Sequence, residues 1–504
     1  MLFKEITLPT GTKYEQPLGL FINNEFVESH SSERLPAYNP ATGKVIVEVQ
    51  EACAKKDVDL AVEVATKAFK SWKKVPAVEK RDMFFKLAQL VSENKQLLAE
   101  IESANSGKPV ETNAKGDIDE MIDVFKYLGG WIDKVDGETH IPDDKRLCLT
   151  FHQPMGVVGC IVPFNYPLSM MTNKFAAIAA GNTTIFKSGD QTPISALFFA
   201  TLVKKAGFPP GVFNLLSGKG STVGDRIIKH PGIVKVAFTG STAVGKMIQE
   251  NTAKNLKPLS LECGGKSPAV VFDDCDFEQA IKWCALGIFF NTGQICSGTS
   301  KVYVQDTIYE KFIESMKKYV EENYIVGDPS VESTVVGPLI SAKQHDRVTG
   351  YIKKSIEEGL HLVTGGLETP ASVASNETLK QGYFVQPTIF RDLQPHNTIA
   401  KEEIFGPVLA IAKFSTYDEV IELCNDVDYG LGSAIFTTNL QKSIAFAKDI
   451  EAGIVWVNSS NDANSNCPFG GIKESGNGSK DLGSYTMLNY MNVKSVQINL
   501  SSKL

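Results

Sequence analysis

The fold is decided between residues 157 and 262. This stretch opens with Val157-Val158-Gly159-Cys160-Ile161-Val162, a short apolar run of buried-strand type, and closes with Pro258-Leu259-Ser260-Leu261-Glu262, another strand. Between them strand and helix patterns alternate. Phe175 to Ala180 suits a helix, Thr183 to Phe186 a strand, and Ile194 to Ala206 a helix stopped at Gly207. Val212 to Leu216 then reads as strand, Val223 to Lys229 as helix, Val234 to Thr239 as strand and Ala243 to Asn251 as helix. Apolar strands joined through helices must run parallel, and such a sheet is covered by helices on both faces. The predicted class is α/β, with a dinucleotide expected at the strand C-terminal ends.

A second alternating series begins at 268. Ala269 to Phe272, Lys301 to Val304, Val408 to Ala412 and Gly453 to Val457 are strand-like, with helical patterns over Phe277 to Phe290, Tyr309 to Tyr319 and Gln344 to Glu358. Residues 366 to 380 read as a polar surface insertion. On the N-terminal side, residues 55 to 107 and 119 to 128 have helical spacing. Gly129-Gly130 is expected to break the helix, and an extended stretch follows through Arg146 to Phe151.

At 504 residues the chain exceeds one compact core, so about two or three folding units are expected. The net charge of −7 gives no reason to expect nucleic acid as a partner. No run of about 18 apolar residues predicts a membrane span. Met1 to Gln16 lacks the pattern of a signal or transit peptide. Nine scattered cysteines without C-x-x-C, and seven scattered histidines, argue against a disulfide framework or a metal site. Ser502-Lys503-Leu504 reads as a peroxisomal address, so the expectation is a peroxisomal protein met by an import receptor, and otherwise a cytoplasmic one.

Three motifs carry chemistry. Gly240-Ser241-Thr242-Ala243-Val244-Gly245-Lys246 follows a strand and opens a helix, as a nucleotide-binding P-loop does, but Met247 stands where a metal-holding hydroxyl is needed. The glycines suit instead a pyrophosphate at a helix N-terminus. Leu261-Glu262-Cys263-Gly264-Gly265 supplies a carboxylate, and Asn291-Thr292-Gly293-Gln294-Ile295-Cys296-Ser297-Gly298 a thiol. Read singly, Glu262 is a strand-end residue and Cys296 a core residue. Read together, a thiolate attacks an electrophile while a carboxylate takes the proton of the thiol or of a water.

With the glutamate and cysteine 34 residues apart, these motifs resemble the NAD(P)-dependent aldehyde dehydrogenase superfamily, and within it the fungal and other eukaryotic enzymes. Pro163-Phe164-Asn165-Tyr166-Pro167, Phe186-Lys187-Ser188-Gly189-Asp190, Glu402-Glu403-Ile404-Phe405-Gly406-Pro407 and Pro468-Phe469-Gly470-Gly471 extend the resemblance over nearly the whole chain. It implies a Rossmann-type coenzyme domain (1–131 and 153–264), a related α/β catalytic domain (265–479) and a small β oligomerisation arm with the C-terminal tail (132–152 and 480–504).

The implied chemistry oxidises a small-molecule aldehyde to the carboxylate. Cys296 would form a thiohemiacetal whose oxyanion meets the Asn165 amide and the Cys296 N–H, and Glu262 would activate water on the resulting thioester. NAD is the implied cofactor, with NADP possible. Lys187 and Asp190 would hold its adenine ribose, the turn with Gly240, Ser241 and Gly245 its pyrophosphate, Glu403 its nicotinamide ribose, and Phe405 would pack on the nicotinamide. The thiol is expected to be activated as thiolate.

Three departures from the family pattern stand out. Asp190 replaces a glutamate, the helix from Lys174 to Gly181 is one residue short and lacks a proline, and Ser479-Lys480-Asp481 replaces an Arg-Glu pair. The last puts in doubt a relay with Lys174. Family pocket positions fall on Tyr166, Met170, Asn173, Phe290, Ile295, Ser297, Ala463 and Phe469, which suit an aliphatic or aromatic aldehyde, with Asn173 and Ala463 making a wider or more polar entrance. A homodimer or homotetramer is implied. The rivals are a CoA-acylating semialdehyde dehydrogenase, which Glu262 disfavours, and an inactive structural relative.

Overall fold

The computed structural model describes residues 1–501; the expected address at Ser502-Lys503-Leu504 lies outside the described residues. Two seven-stranded sheets organise the chain. In the first, Leu259–Glu262, Lys235–Thr239, Val157–Ile161, Thr183–Lys187 and Phe213–Leu216 lie side by side in that order, all parallel. Leu20–Ile22 and Glu25–Val27 extend it antiparallel. Helices bury both faces, so Val157–Ile161, Thr183–Lys187 and Lys235–Thr239 are buried at every position. That is why the sequence shows apolar runs there and no alternation.

Strand order reverses between Val157–Ile161 and Lys235–Thr239. Successive strands step away from Val157–Ile161 on one side, and the chain then returns to its other side. At such a point the loops leaving adjacent strands part and leave a crevice. The two loops here carry Pro163 to Asn165 and Gly240-Ser241.

The second sheet runs His361–Thr364, Thr388–Arg391, Val408–Phe414, Lys301–Gln305, Pro268–Val271, Gly432–Phe436 and Ile454–Val457. All its pairs are parallel except the first, at one edge. Thr139–Asp143, Arg146–Pro154 and Met491–Asn499 form a separate antiparallel sheet, largely exposed. The residues leading into its last strand behave differently: Asp481, Leu482, Met487 and Tyr490 are buried against the first sheet's core.

Several local expectations change. Helix Lys115–Trp131 runs through Gly129-Gly130 without a break. A Cβ on Gly129 would lie 2.9 Å from the Phe85 ring and 3.2 Å from Phe84 Cβ, so the glycine allows helix Ala77–Glu93 to pack closely. The segment 366 to 380 is no plain polar insertion, because Val373 and Leu379 join Val336 and Phe384 in a small core of their own. The expected helix over Phe175 to Ala180 is a single turn, Ala176–Ala179, after helix Pro167–Lys174. Strand Gly432–Phe436 sits inside the second sheet and was not anticipated, since its Gly-Ser start weakens the strand pattern.

Candidate active site

A cavity of about 530 Å³ occupies the crevice. It is lined by Thr239, Gly240 and Ser241, just before helix Thr242–Thr252, by Glu403 and Phe405, and by Asn165, Tyr166 and Cys296. All eight expected substrate positions, Tyr166, Met170, Asn173, Phe290, Ile295, Ser297, Ala463 and Phe469, line it as well.

Cys296 is delivered by an unusual turn. Helix Phe277–Phe289 ends, and the backbone takes left-handed angles at Asn291 (φ 48°), Thr292 (φ 55°) and Gly293 (φ 68°). A Cβ on Gly293 would meet the Gly406 backbone at 2.2 Å, so only glycine fits that position. Two asparagines fix the turn against the Asn165 loop. Asn291 Nδ2 donates to the Asn165 carbonyl at 3.0 Å, and Asn165 Nδ2 donates to the Gln294 carbonyl at 2.8 Å.

The surroundings of the Cys296 thiol disfavour its thiolate form. Burial, and then the charges of Glu403 and Glu262, push the thiol up to about 12, while the N–H groups of Ser297 and Cys296 pull the other way. Activation therefore needs a base or an added positive charge near the sulfur.

Glu262 ends strand Leu259–Glu262, only 3% exposed. Its backbone is clamped: Gly240 N–H donates to its carbonyl at 3.0 Å, and Cys263 N–H donates to the Ser475 carbonyl at 2.9 Å. The carboxylate lies against Gly470, where a Cβ would come within 2.7 Å of Oε1. It does not line the cavity. Burial first, and then Asp481, hold its carboxyl well above the usual range, against the pull of Lys174 and Lys480. Asp481, although one methylene shorter than glutamate, does reach Lys174 and forms a buried ion pair with it.

The expected cofactor residues divide into two groups. Gly240, Ser241, Glu403 and Phe405 face the cavity. Glu403 Oε1 accepts the Gly265 N–H at 3.0 Å, and burial raises its carboxyl to about 7. Phe405 takes a left-handed φ of 63° and sets its ring edge-on to Phe164, 5.8 Å between centres. Gly245 lies behind the helix start, where a Cβ would strike Cys263 Sγ at 2.6 Å, so it keeps helix and strand end close. Lys187 and Asp190 stand outside the cavity. Lys187 is buried, with Nζ donating to the Ser188 carbonyl at 2.9 Å, and Asp190 is exposed. Backbone N–H groups at a helix start, a carboxylate and a flat ring line one cavity. Those are the partners that a phosphate, a ribose and a nicotinamide need, so the residues present fit a dinucleotide.

Several residues of the site escaped the sequence reading. Asp117 and Glu120, on helix Lys115–Trp131, line the cavity, as do Arg347 and Asn461. Arg347 donates to the carbonyls of Glu403 and Ile404. Asn461 accepts Ser297 Oγ–H at 2.5 Å and donates to the Gly287 carbonyl at 2.9 Å, fixing the residue beside Cys296. Among the described residues no cluster of His, Cys, Asp and Glu is arranged to hold a metal, and no helix is long and apolar enough to cross a membrane.

Comparison with known proteins agrees with this geometry. The sequence model of the aldehyde dehydrogenase family matches residues 26–496. An aldehyde dehydrogenase-like protein of Schizosaccharomyces pombe is 48% identical over 100% of this chain and 99% of its own length. Aldehyde dehydrogenase [NAD(P)+] 1 of Saccharomyces cerevisiae is 44% identical over 99% of each chain. The NAD+ complex of an aldehyde dehydrogenase from Bacillus cereus superposes with a TM-score of 0.92 at 40% identity, covering 96% of this chain and 97% of that one. This chain belongs to the aldehyde dehydrogenase family.

Proposed function

We propose that the protein oxidises an aldehyde to its carboxylate with NAD as the hydride acceptor, Cys296 being the nucleophile and Glu262 the general base. The observation that carries this reading is one cavity joining Cys296 and Asn165 to the helix start at Gly240-Ser241, with Glu262 directly behind its wall. Cys296 Sγ bonds to the carbonyl carbon as its proton leaves, and the second N–H of the Asn165 amide and the Cys296 N–H stabilise the oxyanion. Bound NAD supplies the acceptor for the hydride that leaves that carbon. The thioester left on Cys296 is cleaved by water, whose proton Glu262 takes, and the carboxylate departs as the thiol is restored. Gly240, Ser241, Glu403 and Phe405 would hold the coenzyme within the cavity, with Gly245, Lys187 and Asp190 beyond it.

A panel of aldehydes assayed with NAD and NADP, each with and without CoA, tests this reading. We expect turnover without CoA. A strict CoA requirement would transfer the chain to the acylating enzymes. NAD is expected to be preferred, because the exposed Asp190 carboxylate repels a 2′-phosphate and accepts a 2′-hydroxyl. Asp190→Ser should narrow the kcat/KM ratio by about tenfold, a charge effect near 1.4 kcal/mol. A wild type that favours NADP would refute the Asp190 role.

Two further readings belong here. The open outer strand Met491–Asn499 supports self-association through edge pairing into a dimer or tetramer, and a monomer by light scattering would exclude it. Ser502-Lys503-Leu504 supports peroxisomal import. Deleting the tripeptide should disperse a punctate protein into the cytosol with activity unchanged, and punctate distribution of the truncated protein would overturn the assignment.

A further inference from the structure

Two charged residues of the altered segment Ser479-Lys480-Asp481 reach the niche of Glu262, and they behave differently. Phe469 and Asp481 exchange both N–H···O bonds at 2.7 Å, which fixes the segment against the loop that carries Gly470. Asp481 pairs with Lys174, so each of those charges is offset by the other. Lys480 is partly exposed and, among the described residues, pairs with no carboxylate. Its Nζ donates to the Gly470 carbonyl and, at 3.4 Å, to the Gly453 carbonyl. The charge that acts on it is that of Glu262.

Gly470 links the lysine to the carboxylate. A Cβ there would lie 2.7 Å from Glu262 Oε1 and 3.1 Å from Lys480 Cδ, so the two side chains flank one glycine. Gly453 leaves room for the ammonium itself, because a Cβ at that position would come within 2.8 Å of Lys480 Nζ. Glu262 is buried, and no side chain donates a hydrogen bond to either of its oxygens. A carboxylate in such a place needs a compensating charge. The groups that face it are Asp481, Lys174, Lys480, the thiols of Cys263 and Cys296, and the Tyr490 hydroxyl. Burial keeps the thiols and the hydroxyl neutral, and Lys174 is committed to Asp481. Lys480 is the net positive charge of the group.

We propose that Lys480 is a positioning residue for the general base: it fixes the Gly470 wall of the niche and sets its ammonium, from outside the cavity, beside the Glu262 carboxylate. It does not line the cavity, so it acts on the reaction through Glu262. The proposal rests on the assignment of Glu262 as the base. With the ammonium in place, Glu262 gives up its proton at a lower pH than burial beside Asp481 alone would allow.

Acetylation by 4-nitrophenyl acetate isolates the step. The Cys296 thiol displaces 4-nitrophenolate from the ester, water then releases acetate from the thioester, and mass spectrometry follows the acetyl group at each pH. Wild-type release should rise with pH as Glu262 ionises. Lys480→Gln keeps an N–H for the Gly470 carbonyl but loses the charge. It should move the rise up by about one pH unit, which is about tenfold slower release below the midpoint with the same alkaline plateau. Lys480→Arg should keep the wild-type profile. Added to Glu262→Gln, Lys480→Gln should slow release no further, since the base it serves is gone. An unmoved rise in Lys480→Gln, a loss equal at every pH, or a further loss on top of Glu262→Gln would overturn the proposal alone. If Lys480→Gln does not fold, the wild type decides. Salt screens a partly exposed ammonium, so the midpoint should climb as salt is raised, and a fixed midpoint would overturn the role of Lys480. A wild type not acetylated on Cys296 would overturn the nucleophile, and normal release by Glu262→Gln the base, each taking this proposal with it.

Discussion

Replacing Cys296 by alanine should abolish aldehyde oxidation and leave NAD affinity within a few-fold. Without the sulfur no tetrahedral adduct forms, and the aldehyde carbon has no route to hydride release. The proposed coenzyme contacts, Gly240, Ser241, Glu403 and Phe405, line the cavity and are left in place by the substitution. The turn that presents position 296 is held by Asn291, Asn165 and Gly293, so its shape does not depend on the thiol. Two other cysteines serve as controls. Cys263 is buried against Gly245, and Cys467 is exposed beside Asn466. Their alanine variants should keep at least partial turnover. Steady-state NADH formation together with NAD titration by protein fluorescence reads both effects, and substantial turnover by Cys296→Ala would remove it as the nucleophile.

Glu262→Gln should separate the two halves of the reaction. The adduct and hydride departure depend on Cys296 and Asn165, whereas thioester cleavage needs a deprotonated water, a general-base task worth about 10²- to 10⁴-fold. The variant should therefore produce about one NADH per site in a burst and then turn over slowly, with the acyl group found on Cys296 by mass spectrometry. The niche against Gly470 adds a pH signature. There the Glu262 carboxyl is raised by burial and Asp481, so it holds its proton more readily than an ordinary glutamate. Wild-type deacylation should rise with pH as that proton is lost, and the variant should lose this rise. Because the thiol itself is pushed up to about 12, a burst that slows in the variant and recovers at high pH would show that Glu262 also deprotonates Cys296. A variant with normal steady turnover would exclude Glu262 as the base. CoA restoring turnover in the variant, but not stimulating the wild type, would identify water as the natural acyl acceptor.

The sequence made the sheets legible where burial is two-sided. Val157–Ile161 and Lys235–Thr239 read as strands because every position is buried. Gly432–Phe436 is as fully buried but starts with glycine and serine, so pattern alone passed it over. Gly129-Gly130 misled for the opposite reason: the same absence of side chain that weakens an isolated helix permits close packing on Phe85. In the site, Cys296 and Glu262 stand in local motifs and could be picked out. Asp117 and Glu120 could not, because Asp117-Ile118-Asp119-Glu120 looks like any solvated helix face until Lys108 and the cavity are placed beside it. The reach of Asp481 to Lys174, across 307 positions, is likewise a fact of tertiary packing.

The niche of Glu262 also bears on the order in which the molecule is made. Its strand, and the whole parallel part of the first sheet, is complete by residue 262, while Gly470, Ser475, Lys480 and Asp481, which surround the carboxylate, are added more than two hundred residues later. A chain emerging from the ribosome folds its N-terminal units first. The parallel strands of the first sheet are therefore synthesised while Glu262, the proposed general base, still lacks its surroundings, which come from one of the last segments to be made. A polypeptide interrupted in its final tenth would carry the cavity-facing Gly240, Ser241, Glu403 and Phe405 without the groups that surround Glu262.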